Sequence, residues 1–158
     1  MVNKSDIETF WTRGDIHSRI HKAMSEAGLN DRKLEIEDLF PIDQYHARGI
    51  AATVDLGKRM PISENQRIID IGCGLGGPAR YFAKQFKCLI TGIDITPSFI
   101  EIGNKFNNLT SMSKQVSLQI GNGETLDFED EAFDGGYSQH VTMNIKKRKE
   151  FFLEAFRV

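Results

Sequence analysis

The chain has 158 residues, of which 40% are apolar and 27% charged, a composition that is typical of one folded globular domain and excludes a disordered chain. No apolar run reaches the roughly 18 residues of a membrane-spanning helix, so we expect no membrane partner. The net charge of −2 gives no overall attraction to nucleic acid, and we expect no nucleic-acid partner.

The cysteine content and the N-terminus indicate a reducing compartment. Cys73 and Cys88 are too few for a disulfide framework, and the opening MVNKSDIETFWTRGD carries charges where a signal peptide has its apolar core. We therefore expect a cytoplasmic protein. His17 and His21 are spaced one helical turn apart, but no third ligand is evident, so no metal site is predicted.

The first part of the chain, 1–60, has a helical pattern. Ser5 can cap a helix whose apolar positions run to Met24. A polar stretch over 31–43 then leads to a second predicted helix over 45–60. We expect residues 1–60 to form an N-terminal helical cap.

From residue 61 onward short apolar runs alternate with amphipathic segments. This alternation predicts βαβ units and an α/β fold with a parallel sheet of about four strands. Strands are predicted over 67–72, 88–95, 116–120 and 133–139, and helices over 78–86, 96–109 and 146–156.

A glycine-rich loop follows the first predicted strand. Gly72, Gly74 and Gly77 have the spacing G-x-G-x-x-G between a strand and a helix, where the backbone can turn tightly and a ligand can approach the helix N-terminus. Asp94 ends the next strand and can accept hydrogen bonds from both hydroxyls of a ribose. The pattern predicts a nucleotide-like ligand; the alternative interpretation is a tight structural turn.

The charge of this loop distinguishes two ligand classes. Asp70 precedes the first glycine by two residues, and no Lys or Arg follows before Arg80. A carboxylate repels a pyrophosphate but attracts the sulfonium and ammonium of S-adenosylmethionine. The loop therefore favours S-adenosylmethionine, and a nicotinamide oxidoreductase stays open as an alternative because of the glycine spacing.

A polar turn, residues 121–124, follows the third predicted strand. Ligands of parallel sheets bind outside the carboxyl ends of the strands, so Asn122 can lie beside an adenine and accept from its amino group. The alternative is that Asn122 is only a turn residue between two glycines.

Several of these segments resemble a known family. The glycine loop, GIDITPSF, LDFEDEAFD and QHVTMNI resemble class I S-adenosylmethionine-dependent methyltransferases. Segments 41–53, 70–83 and 139–158 are similar to the bacterial branch related to sarcosine and dimethylglycine methyltransferases. The resemblance implies a Rossmann-like sheet with the N-terminal helical cap over it, and an incomplete cofactor-binding domain over 61–158.

The resemblance also implies a set of site residues. The acid and glycines at 70–76 would hold the methionine portion of S-adenosylmethionine, the acid at 94 the ribose, and Asn122, where the family usually has aspartate, the adenine. The segment after the fourth strand would lie beneath the sulfonium, and the N-terminal cap would close over the cofactor. The cofactor-binding residues expected are Asp70, Gly72, Gly74, Gly76, Asp94, Ile95, Asn122, Gly123, Ser138, Tyr45 and Arg48.

The expected reaction is methyl transfer to a small-molecule acceptor, with an amine such as a methylated glycine as the leading class and S-adenosylhomocysteine as the product. An amine must arrive unprotonated, and a neutral imidazole can take its proton. We expect His140 to be the catalytic residue, with His46 as the second candidate. Either histidine could instead be structural.

Compared with the family, the chain ends early. The family continues past the equivalent of Val158 with three further strands, so the resemblance implies that about a third of the catalytic domain is absent. A truncated remnant that binds cofactor without catalysis is therefore an alternative. Segment 133–139 would become a sheet edge, and we expect a homodimer that pairs through this edge.

Overall fold

The structure, a computed structural model, describes residues 16–29 and 33–158. Six α-helices, a short 3-10 helix at Thr142–Asn144 and four strands are found there. The helices are α1 (Ile16–Glu26), α2 (Ile36–Asp43), α3 (Ile50–Gly57), α4 (Gly77–Phe86), α5 (Pro97–Leu109) and α6 (Arg148–Arg157). The strands are β1 (Arg67–Ile71), β2 (Leu89–Asp94), β3 (Val116–Ile120) and β4 (Gly135–Tyr137).

The four strands form one parallel sheet in the order β3-β2-β1-β4. β1 is buried over four of its five residues, as expected for a β-branched apolar run covered on both faces. β1 lies between β2 and β4. The chain adds β2 and β3 on one side of β1 and then returns to add β4 on the other side. The α/β, Rossmann-like parallel sheet is confirmed, and its switch point lies where β1 ends.

The fourth strand is shorter than predicted. Segment 133–139 forms a strand only over Gly135–Tyr137, which pairs with Ile68–Asp70 of β1. The Phe133 N–H donates to the carbonyl of Val158 at 2.8 Å, so it takes no part in the ladder. β4 lies at an edge of the sheet, as the sequence predicts for this segment.

Helix α2 differs from the sequence prediction, in which segment 31–43 is a polar connection. A capping box starts the helix: the backbone N–H of Glu35 donates to the Asp38 carboxylate at 3.0 Å, and the Glu35 side chain accepts in return. Ile36 and Leu39, one turn apart, are both buried. Pro41 in the same helix weakens the helical pattern of the sequence.

The second predicted helix is wrong at its start. Only Ile50–Gly57 of segment 45–60 is helical. Arg48 and Gly49 have φ values of 68° and 51°, which turn the backbone out of the helical region. Tyr45, His46 and Arg48 consequently lie in the connection between α2 and α3. The N-terminal half of the first predicted helix, from Ser5, lies outside the described residues, and the remainder is α1.

Three apolar clusters form the core of the described residues. Two include strand residues, and in one of these α6 contributes Phe151. The third joins the N-terminal helices to α5: Ile16 and Ile20 of α1 and Leu39 of α2 pack with Ile102 and Phe106. The aromatic side chains of α6 are buried only in part. The exposed fractions are 1% for Phe151, 59% for Phe152 and 93% for Phe156.

A fully buried arginine joins the glycine loop to two helices. The guanidinium of Arg80, on α4, donates from Nη1 to the carbonyl of Gly103 at 3.1 Å and to Oδ1 of Asn107 at 2.6 Å, both on α5. Nη2 donates to Oδ2 of Asp43 at 3.0 Å and to the carbonyl of Leu75. The exposed fractions of Arg80 and Asp43 are 0% and 3%.

We predict that Arg80→Met lowers the free energy of unfolding by about 3–5 kcal/mol, because it leaves the Asp43 carboxylate buried without its counter-ion. Urea denaturation measures this. Arg59→Met, at an exposed position, is the control and is expected to stay within about 0.5 kcal/mol of the parent chain. Equal midpoints for the two variants would contradict the prediction.

Candidate active site

A cavity lies at the carboxyl ends of β1, β2 and β3, at the switch point of the sheet. The connection between α2 and α3 and the segment after β4 complete its walls. Its main lining segments are 70–75, 93–96, 121–124, 139–141 and 144–146, with Asp43, Tyr45 and His46 from the N-terminal helical region.

The structure brings most of the predicted site residues to this cavity. Gly76, Ser138 and Arg48 are not among its lining residues. The Ser138 hydroxyl donates to the carbonyl of Ile71 at 2.8 Å, and the Arg48 guanidinium pairs with Asp55 at 2.6 Å. Those that line the cavity are Tyr45, His46, Asp70, Gly72, Gly74, Asp94, Ile95, Asn122, Gly123 and His140.

Asp94 organises the glycine loop. Its Oδ2 accepts the backbone N–H of Gly74 at 2.9 Å, and its Oδ1 accepts that of Thr96 at 2.9 Å. Each carboxylate oxygen has a second lone pair, so Asp94 can still accept from a ribose. The sequence predicts only the ribose contact; the hydrogen bond to Gly74 shows that the same carboxylate also shapes the loop.

Asp70 is a buried carboxylate on the floor of the cavity. Burial raises the pKa of Asp70 to about 7; the hydrogen bond from the Tyr137 hydroxyl, at 2.9 Å, lowers it, and the neighbouring charge of Asp94 raises it. A cationic ligand beside this group would favour its ionised form. Asp70 therefore suits a sulfonium or an ammonium and disfavours a phosphate.

Asn122 is held in a turn. Its side-chain oxygen accepts the backbone N–H of Glu124 at 3.0 Å, which is the local bond of an Asx turn. This supports the turn interpretation of Asn122. The amide group still lines the cavity, and an adenine contact stays a prediction.

The two candidate catalytic histidines are stacked on each other. The ring centroids of His46 and His140 are 5.5 Å apart, with 18° between the ring planes. Nε2 of His46 lies 3.2 Å from the Thr53 hydroxyl, which donates to Oε1 of Gln44 at 2.6 Å. Burial lowers the pKa of His46, and the neighbouring His140 lowers it further, so the neutral imidazole is favoured.

Three residues of this site were missed by sequence reasoning. Asp43, Gln44 and Thr53 are buried polar residues of the N-terminal helical region. All three lie within segment 41–53, on which the family resemblance partly rests. No spacing rule predicts the Asp43–Arg80 contact, because its partners are 37 positions apart in the chain.

Comparison with known proteins assigns the chain to a family. Residues 69–158, more than half of the chain, match the family described as "Methyltransferase domain". The chain belongs to this methyltransferase family. The matched part begins in β1 and contains the glycine loop, the sheet and α6.

Curated relatives are longer proteins. Methyltransferase phqN of Penicillium fellutanum is 36% identical over 65% of this chain and 32% of its own length. The 24-methylenesterol C-methyltransferase 3 of Arabidopsis thaliana is 35% identical over 66% of this chain and 28% of its own length. The chain thus spans about a third of the curated relatives it matches.

Solved structures share the fold. The cyclase SpnF has a TM-score of 0.66 at 24% identity, covering 68% of this chain and 40% of its own. A protein assigned as a sarcosine dimethylglycine methyltransferase, from Galdieria sulphuraria, has a TM-score of 0.62 at 22% identity over 69% of this chain and 39% of its own. At these identities the likeness shows the fold alone.

Family membership decides the cofactor in favour of S-adenosylmethionine over a nicotinamide. The cavity fits this group, because the buried carboxylates of Asp43 and Asp70 line it beside the open glycine loop. Within the described residues, no group of His, Cys, Asp and Glu is arranged to hold a metal ion. No helix of residues 16–29 and 33–158 has the length and apolar character to cross a membrane.

We predict that Gly74→Val abolishes binding of S-adenosylhomocysteine. Gly74 has a φ of 54° and nothing within 4 Å of an added Cβ, so the valine side chain would extend into the cavity. Gly49→Val is the matched control, since Gly49 has a φ of 51° and equally open space but does not line the cavity. Both variants place a valine at a positive φ, and calorimetric titration should show a loss only at Gly74.

We predict that affinity for S-adenosylhomocysteine increases as the pH is raised through about 7, because Asp70 ionises there and its charge attracts the ligand ammonium. Tyr137→Phe removes a hydrogen bond that lowers the pKa of Asp70. The midpoint of the affinity profile should therefore move to higher pH. An unchanged midpoint in Tyr137→Phe would show that Asp70 does not govern the profile.

Proposed function

We propose that this chain carries the cofactor-binding part of an S-adenosylmethionine-dependent methyltransferase whose acceptor is a small-molecule amine, such as a methylated glycine. The observation that carries the proposal is the stacked His46–His140 pair on the wall of an acid-lined cavity at the switch point. The sequence resemblance to sarcosine and dimethylglycine methyltransferases supports the same acceptor class.

Bound S-adenosylmethionine supplies a methyl group on a sulfonium, so the leaving group is already activated. The chain has to bind and orient the cofactor, exclude water and take one proton from the amine. Asp94, Asp70 and the glycine loop are proposed to bind and orient the cofactor. The walls supplied by the α2–α3 connection and the segment after β4 are proposed to exclude water.

His140 is the better placed of the two bases. Within residues 16–29 and 33–158 its ring makes no hydrogen bond, so both ring nitrogens are available to contact the amine that is methylated. His46 is held by Thr53 at Nε2 and lies 3.3 Å from the carbonyl of Ala47 at Nδ1. We infer that His140 takes the proton, while the stacked ring of His46 orients the ring of His140.

A second acceptor class is an apolar molecule methylated at carbon or oxygen. The curated relatives include 24-methylenesterol C-methyltransferase 3 of Arabidopsis thaliana. The cavity wall carries the apolar side chains of Phe99, Val141, Ile145 and Phe151, which suit such an acceptor. An amine has to lose its proton before the methyl group is transferred, whereas an alkene carbon gives a carbocation that loses its proton only after the transfer. The two classes therefore differ in which atom the proton leaves and in when it leaves.

The test is transfer of a labelled methyl group to glycine, sarcosine, dimethylglycine and a sterol. We predict that His140→Gln lowers the turnover of an amine about 10²- to 10⁴-fold and leaves S-adenosylhomocysteine affinity unchanged. His46→Gln should reduce turnover less than His140→Gln.

The outcomes separate the alternatives. Turnover of the sterol, with no turnover of glycine, sarcosine or dimethylglycine, would show that the acceptor is apolar and is not an amine. Cofactor binding with no transfer to any acceptor would favour the catalytically inactive remnant.

We also propose the homodimer through the β4 edge. The position of β4 at the end of the sheet, with the exposed Phe152 and Phe156 on α6, supports it. Light scattering of the purified chain tests this proposal, and a monomer at all concentrations would exclude the homodimer.

A further inference from the structure

A fully buried threonine hydroxyl lies between two polar side chains of the N-terminal helical region. Thr53, on α3, has an exposed fraction of 0%. Its hydroxyl donates to Oε1 of Gln44 at 2.6 Å and lies 3.2 Å from Nε2 of His46. A threonine within a helix often bonds to a carbonyl of its own helix. Among the described residues Thr53 makes no such bond, so its hydroxyl is used for contacts with other side chains.

The hydrogen of this hydroxyl belongs to the contact with Gln44. That contact is the shorter of the two, and both of its side chains are buried. Oε1 of Gln139 lies 3.5 Å from the same hydroxyl, which is too long to compete. Because a hydroxyl has one hydrogen, Oγ1 of Thr53 can only accept from His46.

The orientation of the Gln44 amide agrees with this assignment. Burial raises the pKa of Asp43 to about 6, whereas Arg80 and the side chain of Gln44 lower it. A glutamine side chain lowers the pKa of a carboxyl by turning its amide N–H toward it. The amide oxygen then faces the other way, toward Thr53, and cannot donate there.

We propose that Thr53 is a positioning residue, which holds the hydrogen of neutral His46 at Nε2 and thereby fixes the ring on which His140 stacks. The Nε2–H group donates to Oγ1 of Thr53 and restrains the rotation of the His46 ring. The ring of His140 lies 5.5 Å away and nearly parallel to it. This inference rests on the proposed function, in which His140 takes the proton of the amine.

The other nitrogen of His46 competes for the same hydrogen. Nδ1 lies 3.3 Å from the carbonyl of Ala47, which is also an acceptor. This contact is exposed, so water can replace a lost partner, whereas the Thr53 hydroxyl is buried away from water. An unmatched pair therefore costs more at Nε2, and the hydrogen is placed there.

The tautomer of His46 is measured by ¹⁵N NMR of its ring, at a pH at which the ring is neutral. Loss of the signals in His46→Gln assigns them. The unmodified chain should carry the hydrogen at Nε2. Thr53→Val keeps the shape of the side chain but removes the acceptor, so the hydrogen should move to Nδ1, toward the carbonyl of Ala47.

Methyl transfer to an amine measures the consequence for His140. Thr53→Val should lower kcat about 10-fold, the effect of one lost neutral hydrogen bond, and leave the affinity for S-adenosylhomocysteine unchanged. Thr53→Ser, which restores the hydroxyl, should recover most of the lost turnover. In a His46→Gln background Thr53→Val should have no further effect, because Thr53 acts through His46.

Thr110→Val is the matched control. Thr110 is also buried, and its hydroxyl donates to the carbonyl of Phe106 at 2.7 Å. It does not line the cavity. The same substitution there should lower the free energy of unfolding without changing kcat or the tautomer of His46.

A hydrogen at Nδ1 in the unmodified chain would overturn the proposal even if Thr53→Val did not fold. An unchanged tautomer in Thr53→Val would also overturn it, as would additive effects of Thr53→Val and His46→Gln on kcat. An equal loss of kcat in Thr110→Val would show that the effect is one of stability. If the unmodified chain methylates no amine, the proposed function is wrong, and the tautomer separately decides whether Thr53 fixes His46.

Discussion

The Arg80 guanidinium joins the glycine loop, α5 and α2, and the positions of all three relative to each other depend on it. Removing a guanidinium from water is tolerated only when its donors find acceptors. Here the acceptors are two backbone carbonyls, the Asn107 amide and the Asp43 carboxylate. Because Asp43 lies 37 positions before Arg80 in the chain, the group that stabilises the loop also brings the N-terminal helices to the cavity.

The electrostatics of the cavity follow from this arrangement. Asp43 and Asp70 are both buried, and burial raises the pKa of each, to about 6 and about 7. Arg80 compensates Asp43 in part, and Tyr137 offers Asp70 a hydrogen bond but no charge. A site with two buried carboxylates is stabilised by a cationic ligand. S-adenosylmethionine carries a sulfonium and an ammonium, whereas a dinucleotide carries a pyrophosphate.

The fold alone does not decide the chemistry. A cyclase and a protein assigned as a methyltransferase share this sheet with similar TM-scores of 0.66 and 0.62. Outside the sheet, the connection between α2 and α3 places His46 on His140, and Thr53 lies beside both Gln44 and His46. Acceptor choice depends on such local arrangements, since the strands supply only the platform.

The sequence by itself determined the parallel sheet, the glycine loop and the acid at the end of β2. These features depend on local apolar runs and on spacings within one βαβ unit, which a linear pattern records. It did not determine α2, where a capping box outweighs Pro41 in a polar stretch, nor the start of α3, where Arg48 and Gly49 have positive φ. Only the tertiary structure decided the Asp43–Arg80 pair and the stacking of His46 on His140, because these contacts join residues 37 and 94 positions apart, and their geometry depends on how the helices pack on the sheet.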